Sequence, residues 1–292
     1  MPPRLRALTA VLFLLGFSGI AAAQPDSAYR AMNRPVAPFR IADNLYYVGA
    51  SDVTVFLFTT PSGDILLDGG FAETAPQVLA NIRRLGFDPH DVRLLLGSHA
   101  HFDHAGGFAA LRRATGAKLV AMQQDVPLLL SGGRDDWDGF SSKTRFDPIR
   151  PDSIIHDGAV IQLGGTKLVA HVTPGHTPGC TTWTTTLSSG GRRRSAVFMC
   201  SLSVPGYKLV GNSGYPTIAS DYVRAFNTVR ALPCEFFFGS HGSFFDLTRK
   251  SAEWRAHPGA DPNPFIDPAG CAAYVNQSEA AFRKTLSDQG GH

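Results

Sequence analysis

The 292-residue chain carries 27 Lys and Arg against 24 Asp and Glu, a formal net charge of +3, and 43% of its residues are hydrophobic. That length and apolar content suit one large two-layered domain, and the nearly balanced charge gives no basis for a nucleic-acid partner. Gly and Pro are spread along the chain, and no linker, internal repeat or low-complexity block divides it.

Residues 1–23 read as a secretory signal: Arg4 and Arg6 open it, residues 7–20 are almost wholly apolar, and Ala21-Ala22-Ala23 supplies a small-residue cleavage pattern. The apolar core is short for a membrane span of roughly 20 residues. The expected mature product is therefore a single periplasmic domain, residues 24–292, free of the membrane. Without Arg4 and Arg6 its net charge falls from +3 to about +1. Four cysteines, Cys180, Cys200, Cys234 and Cys271, predict two disulfides in an exported chain. Three pairings are open, and the most local joins Cys180 to Cys200 and Cys234 to Cys271.

In chain order, residues 45–48 and 53–59 read as strands, Pro61-Ser62-Gly63-Asp64 as a turn, and residues 65–67 as a third strand. Asp68-Gly69-Gly70 ends this meander. Residues 74–85 follow as an amphipathic helix, with Val78, Leu79, Ile82 and Leu85 on one stripe and Gly86 as its stop. The apolar run 92–96 is a buried strand, a helix passes through Phe108 and Leu111 to Gly116, residues 118–121 form a short strand, and residues 123–130 a helix. Residues 132–147 are polar, Gly-rich and aromatic, with Trp137, Phe140 and Phe146; a loop of that length is expected to wall a substrate cleft. From Ile154 strands return at 160–163, 167–172, 181–187 and 196–199. A helix at 221–232, a buried strand at 236–238 and a closing helix at 278–287 complete the chain.

Chemistry concentrates in Ser98-His99-Ala100-His101-Phe102-Asp103-His104-Ala105-Gly106-Gly107. His99 and His101 are two apart on a segment leaving a strand, so both imidazoles point to one side and can converge on one ion. Asp103 and His104 fall where the chain turns into the next helix and can face a second ion. Four ligand-type side chains in H-x-H-x-D-H order read as a dinuclear centre rather than as a solvated loop. Each ion is still short of protein ligands, and two more histidines stand at strand exits. His176 lies in the stiff turn Thr173-Pro174-Gly175-His176-Thr177-Pro178-Gly179, and His241 follows Phe236-Phe237-Phe238-Gly239-Ser240. His90, His156, His171, His257 and His292 lack such a setting.

Asp68 in Leu-Asp-Gly-Gly, the run from His99 to His104, His176 in its turn and His241 together resemble the metallo-β-lactamase superfamily, over nearly the whole mature chain. The resemblance implies an α/β fold, an αβ/βα sandwich of two mixed sheets with outer helices, and a dinuclear zinc site along one edge. It does not choose among thioesterases, lactonases, phosphodiesterases and β-lactamases. That choice turns on Val197-Phe198-Met199-Cys200-Ser201-Leu202-Ser203: where thioesterase-like members carry a metal-bridging aspartate, Ser201 stands. The segment 201–207 and the Asn263-Pro264-Phe265 neighbourhood resemble subclass B3 metallo-β-lactamases.

That resemblance implies that His99, His101 and His176 hold one Zn²⁺ and Asp103, His104 and His241 the other, with Asp68 steadying the ligands from behind. The expected reaction is hydrolysis of the β-lactam amide of penicillins, cephalosporins and carbapenems, which would confer antibiotic resistance. A zinc-bridging hydroxide, its parent water acidified from pKa ~15.7 to ~7, would attack, with Asp103 holding it in line. Two Zn²⁺ less Asp103 and one hydroxide leave about +2, which suits a small anionic substrate whose carboxylate Ser201 and Ser203 would hydrogen-bond. Thioester or lactone hydrolysis is the alternative within the superfamily, and a non-catalytic zinc-binding protein the alternative outside it. A monomer is expected, since no exposed apolar helix or coiled-coil repeat is evident.

Overall fold

The computed structural model describes residues 27–137 and 145–291. The expected signal segment, residues 1–23, lies outside the described residues, as does the middle of the expected cleft loop. A short helix α1 (Ser27–Met32) precedes the first sheet. Strands β1 (Phe39–Ala42), β2 (Leu45–Tyr47), β3 (Phe56–Phe58) and β4 (Asp64–Leu67) form an antiparallel meander. Helix α2 (Ala75–Arg84) then crosses to β5 (Val92–Leu96), parallel to β4. One turn of helix, α3 (Phe102–Ala105), and α4 (Phe108–Thr115) lead to β6 (Lys118–Met122), and α5 (Val126–Ser131) precedes β7 (Ser153–Ile155). These seven strands pair in sequence order.

The second sheet runs β12-β11-β10-β9-β8. Its strands are β8 (Val160–Leu163), β9 (Thr166–Val172), β10 (Thr181–Ser189), β11 (Arg192–Met199) and β12 (Phe236–Gly239). Only β11 and β12 are parallel, because helix α6 (Ile218–Ala231) makes the crossover that a parallel pair needs. Helices α7 (Leu247–Ala256) and α8 (Pro268–Asp288) close the chain.

The layers follow from where each strand puts its alternate side chains. Phe56 and Phe58 of β3 point between the sheets and meet Phe198 of β11 at ring separations of 5.0 and 5.4 Å, and Phe56 also meets Phe238 of β12 at 5.4 Å. The intervening residues Leu57, Leu66 and Leu95 face the other way and pack with Val78 and Ile82 of α2 and Phe108 and Leu111 of α4. On the far side, Tyr222 and Phe226 of α6 meet Phe282 of α8 at 5.2 and 5.6 Å. Helix, sheet, sheet, helix is thus the αβ/βα sandwich that the resemblance implied.

Several elements depart from their predicted bounds for local reasons. Strand β1 has only four residues, and β7 only three on a sheet edge, too short to show a period. Helix α8 starts ten residues before the predicted 278: Pro268 suits a first turn, and the Asp267 carboxylate accepts the Gly270 N–H at 2.8 Å. Of the predicted strand 53–59, only Phe56–Phe58 pairs in the sheet, while Val53 bridges to His241 instead. That bridge ties the segment before β3 to the loop that carries His241.

Candidate metal centre

The expected ligands gather at one end of the sandwich, where β4, β5, β9, β11 and β12 finish. His101 Nδ1 lies 3.1 Å from His176 Nε2, and one ligand atom each from His99, His101 and His176 falls within 4.8 Å of the others. Beside them, His104 Nε2 is 3.1 Å from His241 Nε2, and Asp103 Oδ2 is 3.4 Å from the first and 3.5 Å from the second. Donors about 2.0–2.1 Å from one tetrahedral ion stand roughly 3.3–3.4 Å apart, so the second trio already has the spacing of an ion's coordination shell. The His99 and His104 rings, 4.2 Å apart, make the two trios neighbours. His99, His101, Asp103, His104 and His176 are all buried.

Hydrogen bonds behind the rings decide which nitrogen faces the centre. The Ser98 hydroxyl donates to Asp68 Oδ2 at 2.8 Å, so its oxygen is left to accept from His99 Nδ1 at 3.0 Å. The proton is thereby held on Nδ1. His99 Nε2, buried and without a hydrogen-bond partner among the described residues, turns its lone pair inward, as a metal ligand requires. His176 Nδ1 donates to the Ser203 carbonyl at 3.0 Å, and His241 Nδ1 meets Asp52 Oδ2 at 2.8 Å. His104 Nδ1 faces Asp68 Oδ2 at 3.3 Å, and His101 turns Nε2 to Asp136 Oδ2 at 3.4 Å. In both trios the inward nitrogens are Nε2 except at His101, where Nδ1 is presented.

Backbone geometry holds these groups in place. Asp68 sits at φ 67°, a left-handed conformation that directs its carboxylate back to the Ser98 N–H at 2.6 Å. Gly175 is at φ +130°, and an added β-carbon would come within 2.6 Å of the Tyr222 ring, so the turn before His176 can only be glycine. Asp125 joins the two ligand loops: its carboxylate accepts from Ala100 N, Thr177 Oγ1 and Gly179 N at 2.7–2.9 Å.

Electrostatics reflect this crowding. Burial pushes the His99 and His176 rings well below the ordinary imidazole range, and the neighbouring imidazoles add to it. Both are thus neutral, with lone pairs free. Burial alone would lower His104 and raise Asp103, but each is overruled by the other: His104 is pushed up to about 10, and Asp103 is held far below the usual carboxylate range. Burial pushes Asp125 up to about 6, against the opposing pull of its three hydrogen bonds.

The other predicted residues lie around this centre. Ser201 is buried, its hydroxyl 2.9 Å from that of Ser203, while Ser203 is partly exposed and 3.4 Å from His176 Nδ1. Ser203 is therefore the more accessible of the two hydroxyls. The sulfurs of Cys180 and Cys200 lie at bonding distance with Cα atoms 5.9 Å apart, and those of Cys234 and Cys271 likewise at 6.6 Å. His171 points elsewhere, to Thr184 Oγ1 at 2.9 Å. Asp52, Asp125 and Asp136 escaped the sequence reading, since lone acids beside no motif carry no periodic or spacing signal. Tyr207, 3.5 Å from His176 Nδ1 and stacked edge-on with Trp137 at 4.6 Å, escaped it too.

The chain is similar to several known proteins. The chain is 42% identical to the native FEZ-1 metallo-beta-lactamase from Legionella gormanii, covering 89% of this chain and 99% of that one, with a TM-score of 0.86. It is 37% identical to BJP-1, a subclass B3 metallo-beta-lactamase of Bradyrhizobium japonicum, covering 90% and 98%, with a TM-score of 0.83. Among curated relatives, persulfide dioxygenase ETHE1 of Bos taurus is 32% identical over 44% of this chain, and an N-acyl homoserine lactonase of Agrobacterium fabrum 29% over 44%. The chain spans only 42% and 57% of those two proteins. The sequence profile of the metallo-beta-lactamase superfamily matches residues 48–241, which reach from the end of the second strand to the last candidate ligand, and the chain belongs to that superfamily.

Proposed function

We propose that this chain is an exported, periplasmic metallo-β-lactamase, matured by loss of residues 1–23, that opens the amide ring of penicillins, cephalosporins and carbapenems and so confers antibiotic resistance. His99, His101 and His176 would hold one Zn²⁺, and Asp103, His104 and His241 a second. The donor set fits that ion: five imidazoles and one carboxylate, with a buried His99 Nε2 that has no hydrogen-bond partner among the described residues. Bound there, divalent ions supply Lewis acidity that acidifies water and polarises a carbonyl.

The remaining steps fall to the chain. Asp103, kept ionised by the His104 and His241 rings, is placed to orient the attacking water through its carboxylate. Asp68, Asp52 and the Ser203 carbonyl fix the ligand rings so that no reorganisation accompanies reaction. The Ser203 hydroxyl is the donor offered to the substrate's carboxylate. Ser201 supports it from behind at 2.9 Å.

The observation that carries this reading is the likeness to solved β-lactamases over 99% of their length. Lactone hydrolysis is the second reading, favoured by the curated homoserine lactonase match over 44% of this chain. The test is ring opening of a penicillin, a cephalosporin and a carbapenem, followed by loss of absorbance. Turnover should vanish with a chelator and return with two equivalents of Zn²⁺; turnover indifferent to chelation would overturn the metal assignment.

A further inference from the structure

His99 has chemistry on both nitrogens. Its Nε2 faces the centre, but on the opposite edge of the ring Cys200 Sγ lies 3.7 Å from Nδ1, and one ligand atom each from His99, Cys180 and Cys200 falls within 4.8 Å of the others. Both cysteines are fully buried. A tetrahedral ion bound at about 2.3 Å to sulfur and 2.0–2.1 Å to nitrogen sets a sulfur–nitrogen edge of roughly 3.6 Å, and that edge is already present. The bond between the sulfurs keeps them from serving as donors, and breaking it lets them separate to the sulfur–sulfur edge of roughly 3.8 Å that the same ion sets.

We propose that, in the absence of the Cys180–Cys200 bond, Cys180, Cys200 and His99 Nδ1 form a sulfur-rich cation site behind the catalytic centre, which competes with His101 and His176 for the His99 ring. The competition, though not the sulfur site itself, rests on the metal assignment made above. A phosphine reductant breaks the bond: the phosphorus is oxidised to phosphine oxide by oxygen from one water, and that water's two hydrogens complete the two thiols. Each sulfur has a carbonyl oxygen 3.4 Å away, Ser98 O for Cys200 and Ser201 O for Cys180, which accepts from its thiol once the two sulfurs, no longer bonded, have moved apart. On binding a divalent ion the two thiols release their protons. The ring proton now held on Nδ1 by Ser98 is taken up on Nε2 instead, which leaves Nε2 no lone pair for the centre. Thiolate pairs with an imidazole select soft and borderline ions such as Zn²⁺, Cd²⁺ and Co²⁺. In this view the disulfide removes a competing donor set from within 4.8 Å of a ligand ring and so directs the ion to the nitrogen-rich side.

The experiment titrates Co²⁺ into the full chain, kept anaerobic with a phosphine that offers no thiol of its own, and records the near-ultraviolet thiolate-to-cobalt charge-transfer band. The band should saturate at one equivalent in the reduced chain and in reduced C234S/C271S, and should be lost in the oxidised chain and in reduced C180S/C200S. Should C180S/C200S fail to fold, C234S/C271S, whose only thiols are this pair, decides alone. A reduced C234S/C271S without the band, or a C180S/C200S with it undiminished, overturns the proposal. The readout is sulfur–metal bonding, so its failure is distinct from failure to open a β-lactam.

Discussion

At the scale of single residues, the centre depends on which proton sits on which nitrogen. Asp52 fixes His241 through Nδ1 and also accepts the Ser243 N–H at 2.7 Å. Asp52→Ala releases that ring, and partners of this kind are worth about 10–100-fold in metal affinity. The loss should appear in a competitive chelator titration as weakening of one ion, leaving the His99, His101 and His176 trio nearly unchanged; equal weakening of both ions would contradict the assignment. His104 has a sign that can be worked out. With its pKa pushed up to about 10 in the metal-free chain, it is protonated at neutral pH, and its contribution to folding, complete below the unfolded imidazole value of about 6.5, fades as pH rises from there through the folded value. An ion must displace that proton, so calorimetry at pH 7 in buffers of different ionisation enthalpy should find about one proton released with the Asp103 site, and affinity rising with pH.

At the scale of elements, the metal run is held by backbone as much as by side chains. Gly69 N–H donates to the His104 carbonyl and Gly107 N–H to the Gly70 carbonyl, both at 2.9 Å, which locks the turn bearing Asp68 against the run bearing the ligands. An alanine β-carbon at Gly107 would stand 2.1 Å from the Gly69 oxygen. Gly107→Ala should therefore cost about 2–4 kcal/mol in urea unfolding and weaken metal binding with it; full stability would show that the turn yields freely. Farther away, Lys250 of α7, almost wholly buried, meets Asp267 at 2.7 Å just where Asp267 caps α8. Asp267→Ala strands that ammonium and removes the cap, an expected loss of about 3 kcal/mol at pH 7. Burial raises the Asp267 carboxyl, but Lys250 and the Gly270 N–H together bring it below its usual range. Its stabilisation is therefore complete above the unfolded value of about 3.9 and fades as pH falls through the lower folded one. The penalty for Asp267→Ala should shrink accordingly in acid unfolding, and a penalty constant down to pH 2 would refute the pairing.

At the scale of the molecule, what could be read from the sequence was what repeats or clusters. The strand Val92–Leu96 matches its predicted bounds because a short apolar run, interrupted only by Arg93, lies between turn signals, and the six candidate ligands stand together because each lies in a segment that follows a strand. The short edge strands β1 and β7 and the whole of α7 were not read: three or four residues cannot show a period, and α7 presents only a weak apolar stripe. The acids that orient the rings were illegible for another reason. Asp52 and His241 are 189 positions apart, and Asp125 and Thr177 are 52 apart, so only the folded sandwich brings them together. The Phe56, Phe198 and Phe238 cluster between the sheets makes that folding a condition of the centre, because it fixes the strand ends from which the ligand loops leave.

The decisive measurement is a side-by-side comparison of kcat/KM on one zinc-loaded preparation of known metal content, for a carbapenem, a cephalosporin, an acyl-homoserine lactone and an acyl-glutathione thioester. The largest values are expected for the β-lactams, at two Zn²⁺ per chain. Intact β-lactams beside rapid cleavage of the lactone or the thioester would contradict the assignment to β-lactam hydrolysis.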